Sequence, residues 1–526
     1  MPPHVVPLKD VRDSGRGTAH FRKQLRTAMR STPDRPGRGL QPNVLGTFHT
    51  IVMAVAGSAP AYSLAATSAV LVGTVGLGGP AALLYCAIPM LGIALAYRQL
   101  GRIDVNAGAG YSWVGRTLHP FLGFLSGWAL VVAATLFMVA GSLPAGTMTL
   151  TVIDSRFADD TTLATFIGAG WFLVMLLVVL GGARLSARTQ LVISGVELVI
   201  LLVFAVVALV RGTGPGEGTG AGPGVAHSFD WSWLGFEHFD GVSGFASGAL
   251  IAAFYYWGWD VTGNLSEETR NSRRTTGLAG IVGVLTVFAL VEVFTIAVNV
   301  ILSADDIERH SANVLTVLGE RVWPGVGGKL LVVAVMLSTV ATLQTTLVQV
   351  TRSLFAMGRD RTMPAAFGRV HRSWNTPWVS VAAVGGVALA LILASLALGP
   401  VHHILGVAVE AIGLQIAVYY GLAGLAAVVA YRKLLFRSVA DLVLGGLWPL
   451  AGSLFMFWIF IEALGDFSAT ALALGLGSLA VGAVPMLWYW RRGSSYYRPA
   501  KLDASQTVRA EEPSGYAHST TIVTDY

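Results

Sequence analysis

A dozen long apolar runs decide what this chain can fold into. They fall near 45–72, 79–97, 120–150, 161–182, 189–210, 242–264, 277–302, 328–356, 378–399, 403–430, 443–464 and 470–490. A helix of about 20 residues spans the roughly 30 Å hydrocarbon core of a bilayer. One such run can be the core helix of a soluble domain; twelve cannot. Charged residues make up only 12% of the chain, against about 25% in ordinary soluble domains, and they cluster between the runs. Backbone polar groups in lipid must be satisfied within the segment. The expectation is an all-α membrane protein with about twelve transmembrane helices, the transmembrane domain occupying 45–492.

The basic residues orient it. With twelve spans the tails and every second loop share one side, and that side holds 30 of the 35 Lys and Arg residues. By the excess of positive charge in cytoplasmic loops, both termini are expected in the cytoplasm and the spans in the cytoplasmic (inner) membrane. The net charge of +6 therefore follows topology and does not point to nucleic acid. The basic stretch 1–44 has no apolar core and reads as a disordered cytoplasmic tail, not a cleavable signal. The polar stretch 493–526 reads as a second, disordered cytoplasmic tail. The loop after the fifth run is a Gly-rich linker over 212–224, then a segment with Trp231 and Trp233 expected at the membrane interface. Cys86 is the sole cysteine and lies in an apolar run, so no intrachain disulfide exists and a packing role is expected.

Two runs carry helix-breaking residues near their middles. The first contains Ala56-Gly57-Ser58-Ala59-Pro60, where Pro60 removes the helical partner of the Ala56 carbonyl. The sixth contains Tyr255-Tyr256-Trp257-Gly258-Trp259-Asp260, where Gly258 permits a break and Asp260 is placed to cap the half-helix that follows. Breaks inside a bilayer are tolerated where they line protein or a cavity. Paired breaks at matching places in two halves point to an inverted-repeat transporter with a midplane site. Half-helix N-termini offer N–H groups to a carboxylate, and freed carbonyls accept from an ammonium. Ala56, Gly57, Ser58, Ala59, Pro60, Tyr256, Trp257 and Gly258 are the expected substrate-binding residues, with the aromatic run from Phe254 to Trp259 closing over the substrate.

Three further stretches carry a resemblance. The sixth-run sequence Phe254-Tyr255-Tyr256-Trp257-Gly258-Trp259-Asp260, with Asn264-Leu265-Ser266-Glu267-Glu268-Thr269-Arg270-Asn271 after it, resembles the sixth-span signature of amino acid permeases in the amino acid–polyamine–organocation (APC) superfamily. Asn106-Ala107-Gly108-Ala109-Gly110-Tyr111-Ser112-Trp113, followed by Gly123-Phe124-Leu125-Ser126-Gly127-Trp128, is similar to the signature between its spans 2 and 3. Arg352-Ser353-Leu354-Phe355-Ala356-Met357-Gly358-Arg359-Asp360, with Pro364 beyond, looks like its eighth-span exit. The resemblance covers roughly 45–465. It implies a five-plus-five inverted repeat, about 45–210 and 242–430 with extra spans over 443–490, broken helices 1 and 6, and alternating access. The chain departs from the family in span 1, with Gly57-Ser58-Ala59-Pro60 where many members carry a Gly-rich stretch.

Buried acids are the candidates for coupling. Glu197 lies about nine residues into span 5, roughly 13 Å deep, on one face with Gln190 and Ser194. In related permeases a Lys often occupies what looks like this position, and a carboxylate there can carry a coupling proton. Glu292 and Glu410 are the next candidates, and Glu462 sits near an interface. Ser338, Thr342, Thr345 and Gln349 form a polar stripe on span 8, with Thr342 and Thr345 expected near the coupling site. Glu267 and Glu268 end span 6 and are expected to form a gate with arginines such as Arg102 or Arg184.

The expected activity is secondary transport of an amino acid or related small amine, proton-coupled or exchanging. The alternative is a polyamine, organic-cation or neutral-solute transporter of the same fold. A polytopic enzyme needs a nucleophile–base pair or a metal cluster. The adjacent pair His402-His403 has no carboxylate at ligand spacing, so no catalytic residue, metal or cofactor is expected. A channel needs a repeated charged or carbonyl-rich filter, and none appears. The expected partners are the small-molecule substrate, protons and the lipid bilayer.

Overall fold

The computed structural model describes residues 39–158, 160–212, 226–310, 314–397, 399 and 401–505. The tail over 1–38, most of the Gly-rich linker and the last 21 residues lie outside the described part. Among the described residues the structure is helical, and strand-like pairing is limited to one bridge between Leu45 and Thr269.

The first run is two helices, α1 (Thr47–Gly57) and α2 (Pro60–Val75). A turn at Gly76–Gly78 leads into α3 (Gly79–Ile103), then the short α4 (Gly110–Thr117) and the 34-residue α5 (Pro120–Ile153). Next come α6 (Thr161–Leu180) and α7 (Ala183–Gly212). The sixth run is also two pieces, α8 (Gly241–Tyr255) and α9 (Val261–Asn264). The remainder are α10 (Ser272–Ile301), α11 (Ala304–Arg309), α12 (Val314–Val322), α13 (Gly327–Arg359), α14 (Trp378–Ala394) and α15 (Val401–Tyr431). A single α turn, α16 (Val439–Leu442), passes through a π turn at Val443–Leu447 into α17 (Trp448–Asp466), before α18 (Ala469–Val481) and α19 (Ala483–Arg491).

Ten stretches among the described residues are long and apolar enough to cross a membrane, and Gly241–Tyr255 is a shorter apolar helix. The first, Thr47–Ile103, is 57 residues. Straight, it would measure about 85 Å, but it breaks after Gly57 and turns at Gly76, whose φ is +54°. The helices form an inner and an outer set. In α13 83% of the apolar window is buried and in α5 72%, against 17% over Ala469–Arg491. The most buried stretches are the one from α1 to α3, α5, α13 and α15, and the outermost helices present apolar side chains such as Val199, Leu202 and Val484 outward, as lipid contact requires.

Two expectations are corrected here. Trp233 is not an interfacial anchor: it is 2% exposed and packs on Phe229 and His227. Only Trp231 of the pair is exposed. Residues 494–505 are a packed segment. Tyr496 stacks on Tyr111 and donates its hydroxyl to the Tyr111 carbonyl at 2.9 Å. Leu502 N–H bonds the Arg116 carbonyl, and Lys433 pairs with Asp503.

Candidate functional site

The two helix breaks meet. Ser58 and Ala59 separate α1 from α2, and 256–260 separate α8 from α9. A Cβ on Gly57 would lie 2.3 Å from the Gly258 carbonyl oxygen, and one on Gly258 would lie 2.0 Å from that of Gly57. Nothing larger than glycine fits at either place. Gly258 has φ +95°, and Ala59 is left-handed at φ +48°, a conformation that costs an L-residue roughly 1–2 kcal/mol.

The N-terminus of α2 is already occupied. Pro60 has no N–H. Ala61 N–H donates to Glu197 Oε1 at 3.2 Å, Tyr62 N–H to Ser338 Oγ at 3.2 Å, and Ser63 N–H to the Ala59 carbonyl. The positive end of α2, expected to meet a substrate carboxylate, meets the protein's own carboxylate from α7. Glu197 is fully buried, and its Oε2 has no partner. Gln190 and Ser194, on the same face, bond each other at 3.3 Å. The freed Ala56 carbonyl accepts from Thr342 Oγ1 at 2.8 Å. Thr345 bonds only its own helix, to the Ala341 and Thr342 carbonyls.

The second break is braced by side chains. Trp257 Nε1 donates to Tyr419 Oη at 2.6 Å, and Tyr256 Oη to the Leu83 carbonyl at 2.8 Å. Asp260 does not cap α9 with its side chain. It accepts from Gln349 Nε2 at 2.7 Å and Tyr420 Oη at 2.8 Å instead. Sequence reasoning missed Tyr419 and Tyr420; the signal was an adjacent tyrosine pair inside an apolar run.

The expected gate acids pair with other arginines. Arg352, inside α13, holds Glu268 through two bonds of 3.0 and 3.1 Å, with exposures of 0% and 1%. Arg359 holds Glu267 at 2.9 Å, which also accepts from Ala107 N–H. Asn264 Nδ2 ties the Ala107 carbonyl to Ser353. Arg102 and Arg184 are not partners of either acid in these pairs. All of this lies at the end of the bundle where 494–505 packs.

At the opposite end a cavity of about 760 Å³ opens between α2, α5, α8, α15 and α17. Its wall is mostly apolar, with Glu410 the acid that lines it. It reaches Tyr62 and Phe254 but none of residues 56–60 or 256–258. Tyr62 packs edge-on to Phe137 and Phe254, and Phe137 to Trp257. That aromatic floor separates cavity from breaks. Glu410 Oε2 caps α18 by accepting from Ser468 N–H and Oγ, whereas neither oxygen of Glu292 has a partner.

Residues 45–487 match the model of a family described as amino acid permease. The chain is 25% identical over 321 residues to the low-affinity putrescine importer PlaP of Escherichia coli (strain K12), covering 59% of this chain and 66% of the importer. It is 24% identical over 313 residues to the serine/threonine exchanger SteT of Bacillus subtilis (strain 168), covering 57% and 65%. It is 26% identical over 356 residues to a methylthioribose transporter of the same organism, covering 62% and 72%. The matches thus span just under two thirds of the importer and the exchanger. The family is one of permeases, not enzymes. With paired helix breaks at its centre and the family model matched over most of its length, the chain belongs to the amino acid permease family.

Proposed function

We propose that this protein carries an amino acid or a related small amine across the cytoplasmic membrane by alternating access, coupled to protons or by exchange. Twelve spans, cytoplasmic termini and two inverted repeats complete the reading. Its main support is the backbone contact of Gly57 with Gly258, with Glu197 seated on the first N–H of α2. The substrate descends the cavity to the aromatic floor and enters between 56–60 and 256–258 once that floor parts. The Glu267 and Glu268 ion pairs keep the cytoplasmic end shut meanwhile.

Glu197 links proton to substrate. An anionic Glu197 competes with a substrate carboxylate for the α2 N-terminus. A proton on Glu197 removes that competing charge and frees Ala61 N–H for the substrate. Thr342 reports the change to α13 through the Ala56 carbonyl, and Thr345 lies one turn further on. An amine is favoured because, among the described residues, no Lys or Arg lines the cavity while Glu410 does. The relatives named as a putrescine importer and a serine/threonine exchanger are consistent with an amine-bearing solute.

The test is uptake by the purified protein in liposomes, with labelled serine, threonine, branched-chain amino acids, putrescine and methylthioribose, with and without an inward proton gradient. Gradient-driven accumulation or counterflow of an amine supports the reading. Uptake of methylthioribose alone, or of nothing by a folded protein, overturns it.

A further inference from the structure

We infer that α10 carries a second proton-binding site, Glu292, reached along a polar stripe separate from the substrate cavity. Glu292, Thr295 and Asn299 fall at i, i+3 and i+7, one face of a helix. All three are buried, at 8%, 3% and 1% exposure. Both carboxyl oxygens of Glu292, the hydroxyl of Thr295 and both amide atoms of Asn299 have no hydrogen-bond partner. Buried polar groups are nearly always paired, so three orphans on one face of an apolar helix mark a place built to bind something.

Geometry and chemistry identify the ligand. One carboxyl with a hydroxyl and an amide spread over two turns is too poor an oxygen set for a divalent cation. A bare carboxylate with neither oxygen paired is costly in such surroundings; a proton removes the charge. The ionisable group that Glu292 acts on is Tyr256, which Tyr255 and Cys86 also neighbour. No Lys or Arg forms an ion pair with it among the described residues. The stripe leads away from the Glu268–Arg352 end. Thr295 packs on Gly79 at the start of α3. Beyond it the Asn299 carbonyl meets His227 Nδ1 at 2.9 Å, in the loop before α8. Waters bridging such groups make a proton relay. At the inner end Glu292 neighbours Tyr256, the first residue of the second break. Each broken helix then has its own buried acid, Glu197 for the first and Glu292 for the second.

The test is pH-difference infrared spectroscopy of the full chain in lipid, reading the protonated-carboxyl stretching band. A band component that titrates should vanish in E292Q and persist in E197Q. E292D, which keeps the acid, should shift the component without removing it, and this holds if E292Q misfolds. N299L should slow the band's response to a pH jump several-fold. A carboxyl region unchanged between wild type and E292Q overturns the inference, as does a component that answers to sodium and not to pH. Neither result bears on Glu197, whose role is read from transport.

Discussion

The two ends of the bundle are held by different forces. At the end where residues 494–505 pack, polar bonds cross between elements far apart in sequence: Arg352 to Glu268, Arg359 to Glu267, Asn264 to Ala107 and Ser353, and Tyr111 to Thr362. At the other end the cavity wall is apolar side chains facing one another across open space. Apolar contact is non-directional and re-forms easily in a new packing. A buried ion pair does not, because separating it leaves two charges unpaired. In the alternating-access cycle proposed above, the equilibrium would be decided at the polar end, and the apolar end would follow.

The largest effect should come from breaking that contrast where it is sharpest. Arg352→Met leaves Glu268 buried and unpaired, a loss of about 3–5 kcal/mol. Thermal unfolding in detergent should show a large fall in Tm, and uptake should be lost. Adding Glu268→Leu removes the orphan and should restore most of the stability without restoring the gate. A double variant as unstable as the single would show that the pair is not what holds this end.

Gly57→Ala probes the hinge between the two ends. Its Cβ would meet the Gly258 carbonyl oxygen at 2.3 Å, so α1 and α8 must separate, at about 1–3 kcal/mol. Membrane insertion should persist while transport falls steeply. Wild-type uptake would mean that the backbone contact is incidental. Glu197→Gln mimics the protonated acid, with no charge to compete for the α2 N-terminus, and removes the titration. Accumulation driven by a proton gradient should collapse to the exchange level while counterflow survives. A Gln variant with wild-type pH dependence would make Glu197 a structural hydrogen-bonding residue.

The smallest effect should lie at the surface of the polar end. Hydrogen bonding to Lys433, and then to Ser505, holds the Asp503 carboxyl down at about 2. A carboxyl depressed in the folded state stabilises above its ordinary value of about 3.9 and loses that contribution as pH falls toward its folded value. Docking of 494–505 should thus be insensitive to pH from neutral to about 4 and weaken below. Lys433→Glu should release the segment at neutral pH, read by limited proteolysis after Arg498, with little change in Tm.

The spans and the breaks were legible because their causes are local. Run length sets the first, and Gly57, Pro60 and Gly258 set the second. Glu197 was legible because a lone acid on an apolar helix stands out. Its partner was not: Ala61 N–H lies 136 residues away, and only the fold brings α7 onto the start of α2. Glu267 and Glu268 stood out as acids at the end of a span, but their arginine partners were not legible, for the same reason. Arg352 reads as a loop residue by charge yet sits inside α13. Asp260 was read as a cap from its position before the second half-helix, but the hydroxyl of Tyr420 and the amide of Gln349 compete for its carboxylate. The packing of 494–505 depends on Tyr496 finding Tyr111, which no periodicity announces.

In the proposed alternating-access cycle one end closes as the other opens. Pairs of spin labels test it directly, one pair at Thr161 and His403 across the cavity mouth and one at Arg273 and Arg361 across the polar end. Cys86 is buried and leaves the background silent. On adding transported substrate at acid pH, the mouth distance should shorten and the polar-end distance should lengthen together. Transport accompanied by a mouth pair that stays open, or by a polar-end pair that never moves, would rule out that coupled motion.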